Sequence, residues 1–171
     1  MPKTWNRIVI YTKSPEPLYD YLTEQIPKDL LQIHYDDLEK LSTEEWYGQT
    51  LVIFDDKVNE SKKAHIPIQE LYIRGRKQGV STIYLSQSYF QVPKLIRLQC
   101  NYVFIRKVGS KRDLQLMLSE YGLGATQSEM KNMYKYTCLG NLEDFMTIDL
   151  QHGPPLTYRK NFDEYLDPTN F

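Results

Sequence analysis

Two adjacent carboxylates, Asp55 and Asp56, close a run of apolar and β-branched residues, TLVIFDD at 50–56. Like charges at the carboxyl end of a buried strand repel each other, and the cost falls if a divalent cation sits there or if the pair is exposed in a turn. In nucleoside triphosphatases an apolar strand ending in Asp holds Mg²⁺, usually through water, and a neighbouring carboxylate polarises the attacking water. Asp55 suits the first role and Asp56 the second. Asp is also favoured where strands enter turns, so the pair alone leaves both readings open. The next apolar run, STIYLSQS at 81–88, ends in Ser86 and Gln87. It follows the acidic pair by about 30 residues, so a right-handed crossover through one helix brings both strand ends to the same edge of a sheet. A polar amide at that edge can touch a γ-phosphate or orient water.

The elements that must position these groups alternate. NRIVIY (6–11) reads as a buried strand, the prolines of TKSPEP end it, and LYDYLTEQI (18–26) reads as a helix. LQIHY (31–35) is a second strand, DDLEKLSTEEW (36–46) a short helix, and TLVIF (50–54) a third strand covered on both faces. A helix is expected from about Ile68 to Gly79, with Pro67 near its start, then a strand over 80–86 and a short helix over 92–99. NYVFIRK (101–107) is a fifth strand and KRDLQLMLSEYG (111–122) an amphipathic helix. Thr126 and Glu129 make a capping-box pattern before a helix ending at Gly140. DFMTIDL (144–150) and LTYRKNF (156–162) read as a closing hairpin or paired edge strands, and the tail DEYLDPTNF as loosely held. Strands and helices at this spacing predict an α/β fold on a mainly parallel sheet flanked by helices, whose ligands bind at the carboxyl ends of the strands.

A chain of 171 residues fits one domain. No stretch approaches the ~18 apolar residues of a membrane span, and the N-terminal run lacks the pattern of a secretory signal, so no membrane partner and an intracellular location are expected. Cys100, Cys138, His34, His65 and His152 are scattered without metal-ligand spacing and read as ordinary structural residues. Charge is segregated. Residues 1–56 hold 5 Lys/Arg and 11 Asp/Glu, a net −6; residues 57–112 hold 12 and 2, a net +10; residues 113–171 hold 4 and 9, a net −5. A basic middle third marks either a surface that meets an anionic partner or a solvated helix face.

LVIFDD, LYIRGRKQGVSTIYLSQSYFQVPKLIR and NYVFIRK resemble, in order and spacing, the C-terminal two thirds of viral genome-packaging ATPases of the FtsK/HerA superfamily. These are the type found in poxviruses, other large DNA viruses, virophages and related DNA transposons. The resemblance covers residues 5 to about 110 and implies a P-loop NTPase-like, RecA-type core, with 111–171 as added helices and closing strands. It further implies that Asp55 and Asp56 are the Walker B pair, with Mg²⁺ on Asp55 and water activation by Asp56. Gln87 becomes the γ-phosphate sensor. Arg74 and Arg76 become candidates for a trans-acting arginine finger or a subunit contact, against the alternative of helix-surface charges. Lys94, Arg97, Arg106, Lys107, Lys111 and Arg112 become candidates for a path along DNA phosphates. The implied partners are double-stranded DNA, further copies in a ring, and capsid or portal proteins. The implied location is the viral factory, the host cytoplasm or the virion.

The chain departs from that family at one place. No G-x-x-x-x-G-K-[ST] occurs, so no loop of backbone N–H groups is present to cradle the phosphates of ATP and no Lys to reach its β and γ oxygens. The fold expected is therefore the ATPase core without its P-loop strand. Either the chain is part of a longer product, or it is an ATPase-like subunit without turnover that binds DNA or a partner. A nuclease with Asp55 and Asp56 as metal ligands is a third reading, which lacks further acidic ligands at a supporting spacing.

Overall fold

The computed structural model describes residues 4–46 and 48–171. The chain divides into two units, the first ending at Gln99 and the second running from Cys100 to Phe171.

The first unit is a four-stranded parallel sheet in the order β2-β1-β3-β4, built from β1 (Arg7–Thr12), β2 (Leu31–Tyr35), β3 (Thr50–Asp55) and β4 (Val80–Leu85). In register, Ile10 lies beside Ile33 and Ile53, and Ile53 beside Ile83. Helix α1 (Pro17–Gln25) joins β1 to β2, and α2 (Lys62–Arg74) joins β3 to β4. Because the two crossovers run in opposite directions along the sheet, right-handedness puts their helices on opposite faces. Alternation along the strands then builds two cores. Val9, Tyr11, Val52 and Phe54 pack with Ile68 and Leu71 of α2, and with Leu38, Leu41 and Ile96. Ile10 and Leu31 pack with Tyr19 of α1. Helix α3 (Lys94–Leu98) closes the unit.

Two local expectations change here. Residues 36–46 form a 3₁₀ turn over Leu38–Ser42 in place of a helix, and Asp36, at a left-handed φ of 52°, keeps it from beginning at residue 36. Helix α2 starts at Lys62, well before Ile68, because Ser61 caps it: its hydroxyl accepts from the Ala64 N–H at 3.2 Å. Pro67 therefore lies inside the helix.

The second unit is an antiparallel sheet in the order β5-β6-β7-β8, from β5 (Tyr102–Ile105), β6 (Met146–Asp149), β7 (Tyr158–Lys160) and β8 (Glu164–Tyr165). Helices α4 (Lys111–Glu120) and α5 (Gln127–Cys138) supply Met117, Leu118, Met130, Met133 and Tyr134 to its buried set, with Ile105, Met146, Ile148 and Tyr158 from the strands. The capping box of Thr126 and Glu129 is present, and β6 and β7 pair as the expected antiparallel strands. The fifth strand pairs antiparallel with β6 rather than extending the parallel sheet. The tail is also held down: Leu166 is buried, and the Asn132 amide donates to the Phe171 carbonyl at 2.7 Å.

Candidate functional site

The carboxyl ends of β1, β2, β3 and β4 form one edge of the first unit, and the acidic pair stands there. Asp55 is the last residue of β3, a strand paired on both sides. Its Oδ2 accepts from Thr12 Oγ1, the end of β1, at 3.2 Å and from the hydroxyl of Tyr19 on α1. Two hydroxyl donors thus fix the carboxylate and leave its second oxygen available. Burial and then the Asp55 hydrogen bond raise the Tyr19 phenol to about 12, so Tyr19 stays a donor at neutral pH.

Asp56 differs from its neighbour. It adopts a left-handed conformation, φ 50° and ψ 39°, while its N–H donates to the Leu85 carbonyl at 3.2 Å and ties the end of β3 to β4. Its carboxylate makes no hydrogen bond or ion pair among the described residues. Burial, then the charges of Asp56 and Glu60, push the Tyr84 phenol upward. That hydroxyl lies 3.1 Å from Nε2 of buried His65.

Lys57 is wholly buried, with Nζ 3.3 Å from Asp36 and 3.8 Å from Glu60. It joins the β2 turn to the β3 turn beneath the acidic edge. Sequence reasoning missed it, together with Thr12 and Tyr19. A lysine directly after two acids reads as surface charge, and only the fold brings Thr12 and Tyr19 to Asp55.

The other expected residues fall in several places. Gln87 lies exposed in the loop after β4, at the same edge, and makes no hydrogen bond to Asp55 or Asp56. Arg74 ends α2 and Arg76 follows in a 3₁₀ turn leading into β4, both exposed. They stand at the amino-terminal edge of the sheet, the far end of α2 from the acidic pair. The 13-residue helix spans about 20 Å at 1.5 Å per residue, which rules out a contact with Asp55 of the same chain. Lys94 is exposed at the start of α3, whereas Arg97 donates to the Val92 carbonyl at 3.2 Å and stacks over Tyr89. Arg106, Lys107, Lys111 and Arg112 belong to the second unit, exposed between β5 and the first turn of α4. The six basic candidates are therefore split between the units.

Among the described residues no three His, Cys, Asp or Glu side chains come together as a metal site. Asp55 still fits Mg²⁺, which takes one or two carboxylates and keeps several waters. A triphosphate does not fit these residues alone, since no glycine-rich cradle accompanies the pair. Among the described residues no helix is long and apolar enough to cross a membrane.

No family model matches the chain, and no curated protein matches it. Solved structures do. It is similar to B204, the DNA-packaging ATPase from Sulfolobus Turreted Icosahedral Virus, with a TM-score of 0.62 and 13% identity over 90% of this chain and 81% of that one. It is also similar to the genome packaging NTPase B204 from Sulfolobus turreted icosahedral virus 2. In complex with AMPPCP that protein gives a TM-score of 0.63 at 16% identity over 90% of this chain and 80% of that one. In complex with sulfate it gives 0.63 at 15% over 94% and 83%. At these identities the likeness establishes the shared α/β fold.

Proposed function

We propose that the chain works in an ATP-driven motor that moves viral double-stranded DNA into a capsid. The observation that carries this reading is the division of labour at the β3 terminus. Asp55 is held rigid by Thr12 and Tyr19, as a Mg²⁺ ligand must be, and Asp56 beside it keeps an uncommitted carboxylate for water. The fold likeness to packaging NTPases over most of the chain supports it. In this reading Gln87 senses the γ-phosphate. Arg74 and Arg76 act on a neighbouring copy in a ring, a role compatible with their place at the sheet edge opposite Asp55. Lys94, Arg97, Arg106, Lys107, Lys111 and Arg112 contact DNA phosphates.

The phosphate cradle must then come from a polypeptide segment outside these 171 residues, and the sheet has room for one. Strand β4 has one paired edge among the described residues, and its Ile83 and Leu85 are 41% and 48% exposed. A parallel strand added beside β4 and leading back toward β1 carries its helix on the α1 face, by the right-handed rule. That helix covers Ile83 and Leu85 and brings its N-terminus to the edge where Asp55 stands, the position from which backbone N–H groups bind phosphate.

The first test is the reading frame upstream of the Met1 codon. A frame open through G-x-x-x-x-G-K-[ST] supports the motor, and the longer product should hydrolyse ATP and lose about a hundredfold or more in kcat on Asp56→Asn. A closed frame, with DNA binding and no turnover in any assembly, favours the second reading, an ATPase-like subunit that binds DNA or a partner. The missing glycine-rich loop speaks for that alternative.

A further inference from the structure

Register places two residue sets on opposite faces of the antiparallel sheet. Ile105 lies beside Met146, and Ile148 beside Tyr158, all buried. On the other face Phe104, Thr147, Arg159 and Tyr165 form a row across four strands, with Tyr102 and Asp149 forming a second. This face is aromatic yet open: Tyr102, Phe104 and Tyr165 are 40%, 53% and 55% exposed, and Phe162 beside them 67%. A cavity of about 390 Å³ lies over it, within the range of small-molecule sites.

The cavity has a polar floor. Asp149 is buried and accepts from Arg159 Nη2 at 2.8 Å, from His152 Nδ1 at 3.0 Å, and from the N–H groups of Gln151 and His152 at 2.9 and 3.1 Å. Burial alone would raise this carboxyl, but the hydrogen bonds from His152 and Gln151 outweigh it and hold Asp149 below the usual carboxylate range. The Arg159 charge is therefore spent within the protein. With His152 Nδ1 engaged by Asp149, Nε2 remains for a ligand.

We propose that this cavity binds an unpaired nucleobase. The occupant that fits is flat, apolar on its two faces, polar at its rim and uncharged. The rings of Tyr102 and Phe104 lie 6.4 Å apart and within 14° of parallel, which offers a shelf on which a planar heterocycle can stack. His152 Nε2 stands where its rim can form a hydrogen bond. An aliphatic side chain would bury the Asp149, His152 and Arg159 group with no hydrogen bond in return. A small cation competes with Arg159, which already sits 5.8 Å from the Tyr165 ring centre. A ligand led by phosphate meets the Asp149 carboxylate in the floor and an arginine already paired with it. The base can come from a free nucleoside or from single-stranded DNA. The inference uses none of the residues at the β3 terminus, so it stands or falls separately from the motor.

The test is NMR on the full chain, titrated with deoxyadenosine and, separately, with a short oligo-dA strand. The expected result is a shift of the Tyr102, Phe104, Phe162 and Tyr165 ring signals, with affinity changing less than about threefold between low and high salt because no phosphate is gripped. Phe104→Leu, which keeps apolar bulk without a π-face, and Tyr102→Ala should each weaken binding about tenfold. Shifts with both ligands identify the base alone as sufficient; shifts with the strand only, still salt-independent, identify DNA as its source. The proposal is overturned if neither ligand shifts these signals up to its solubility limit. Binding that collapses with salt overturns it too, as does binding unchanged in both variants with the fold intact by circular dichroism.

Discussion

Lys57 decides how the acidic edge is built, and its replacement separates packing from charge. Its side chain is 0% exposed, whereas Asp36, 3.3 Å away, is 61% exposed and Glu60, at 3.8 Å, is 26% exposed. An ion pair with one wet partner gains little from attraction, while the buried ammonium has paid the full cost of leaving water. Lys57→Met keeps the stem and removes the charge, so its stability should lie within about 1 kcal/mol of the parent chain. Lys57→Ala loses about three methylenes at ~0.8 kcal/mol each and leaves a void, which sums to about 2–4 kcal/mol. Removing both carboxylates by Asp36→Asn with Glu60→Gln should cost about 1 kcal/mol or less, because the attraction to solvated carboxylates is weak and the amide oxygens still accept from Nζ. The assay is urea unfolding followed by tryptophan fluorescence. Trp5 and Trp46 both lie in the first unit, so the signal reports that unit alone. A Met variant as unstable as the Ala variant would refute the reasoning and make the ammonium, not its stem, the structural element.

Gly79 has φ +76°, and a Cβ there would lie 2.3 Å from the Gly48 carbonyl oxygen, so Gly79→Ala should destabilise the first unit by about 2–4 kcal/mol in the same urea assay. Burial, helped by Asp55 at Tyr19 and by Glu129 at Tyr158, raises both phenols to about 12 from an unfolded value near 10. The native state therefore holds more protons between those values. The stability from these tyrosines is complete below pH ~10 and is lost as pH rises toward 12, at about 1.4 kcal/mol per unit for each; Tyr19→Phe should flatten the tryptophan-detected fall. If the basic residues between β5 and α4 contact phosphates, each Gln replacement of Arg106, Lys107 or Lys111 should reduce the slope of log affinity for duplex DNA against log salt by about 0.9. Unchanged slopes would exclude them from the DNA path. Asp56→Asn tolerates the left-handed φ and relieves repulsion, so its stability should match the parent within about 0.5 kcal/mol, while Asp55→Asn weakens two hydroxyl contacts and should cost about 1–2 kcal/mol in the same unfolding assay.

The parallel sheet was legible because each strand is a short apolar, β-branched run, and such runs alternating with helices leave few arrangements. Its details depended on single residues. Ser61 caps α2 upstream of the start expected near Ile68, which puts Pro67 inside the helix, and the expected helix over 36–46 is a 3₁₀ turn over Leu38–Ser42. The partner of β5 was not legible, since β6 lies about 40 residues onward and an apolar run does not state the direction of its neighbour. At the candidate site the acidic pair announced itself by charge at a strand end. Thr12 and Tyr19 did not, because a threonine after a strand and a tyrosine on a helix acquire meaning only when β1, α1 and β3 meet.

A strand that ends on two like charges has two ready explanations, a metal or a turn, and the fold separates the two residues. Asp55 belongs to the strand: it continues the pairing with β4 and is held from two sides by hydroxyl donors. Asp56 belongs to the turn, and its left-handed backbone interrupts the strand's side-chain alternation immediately after Asp55. Burial alone would have favoured an apolar residue at both positions, and turn chemistry alone would have needed only the second. The first carboxylate costs desolvation that Thr12 and Tyr19 must offset, and nothing in the stability of the sheet repays that arrangement better than a valine would. What the arrangement does supply is a negative oxygen in a fixed position at the carboxyl edge of a parallel sheet, next to a second carboxylate that is free to engage a ligand. That is the physical ground for the proposal that the site serves chemistry.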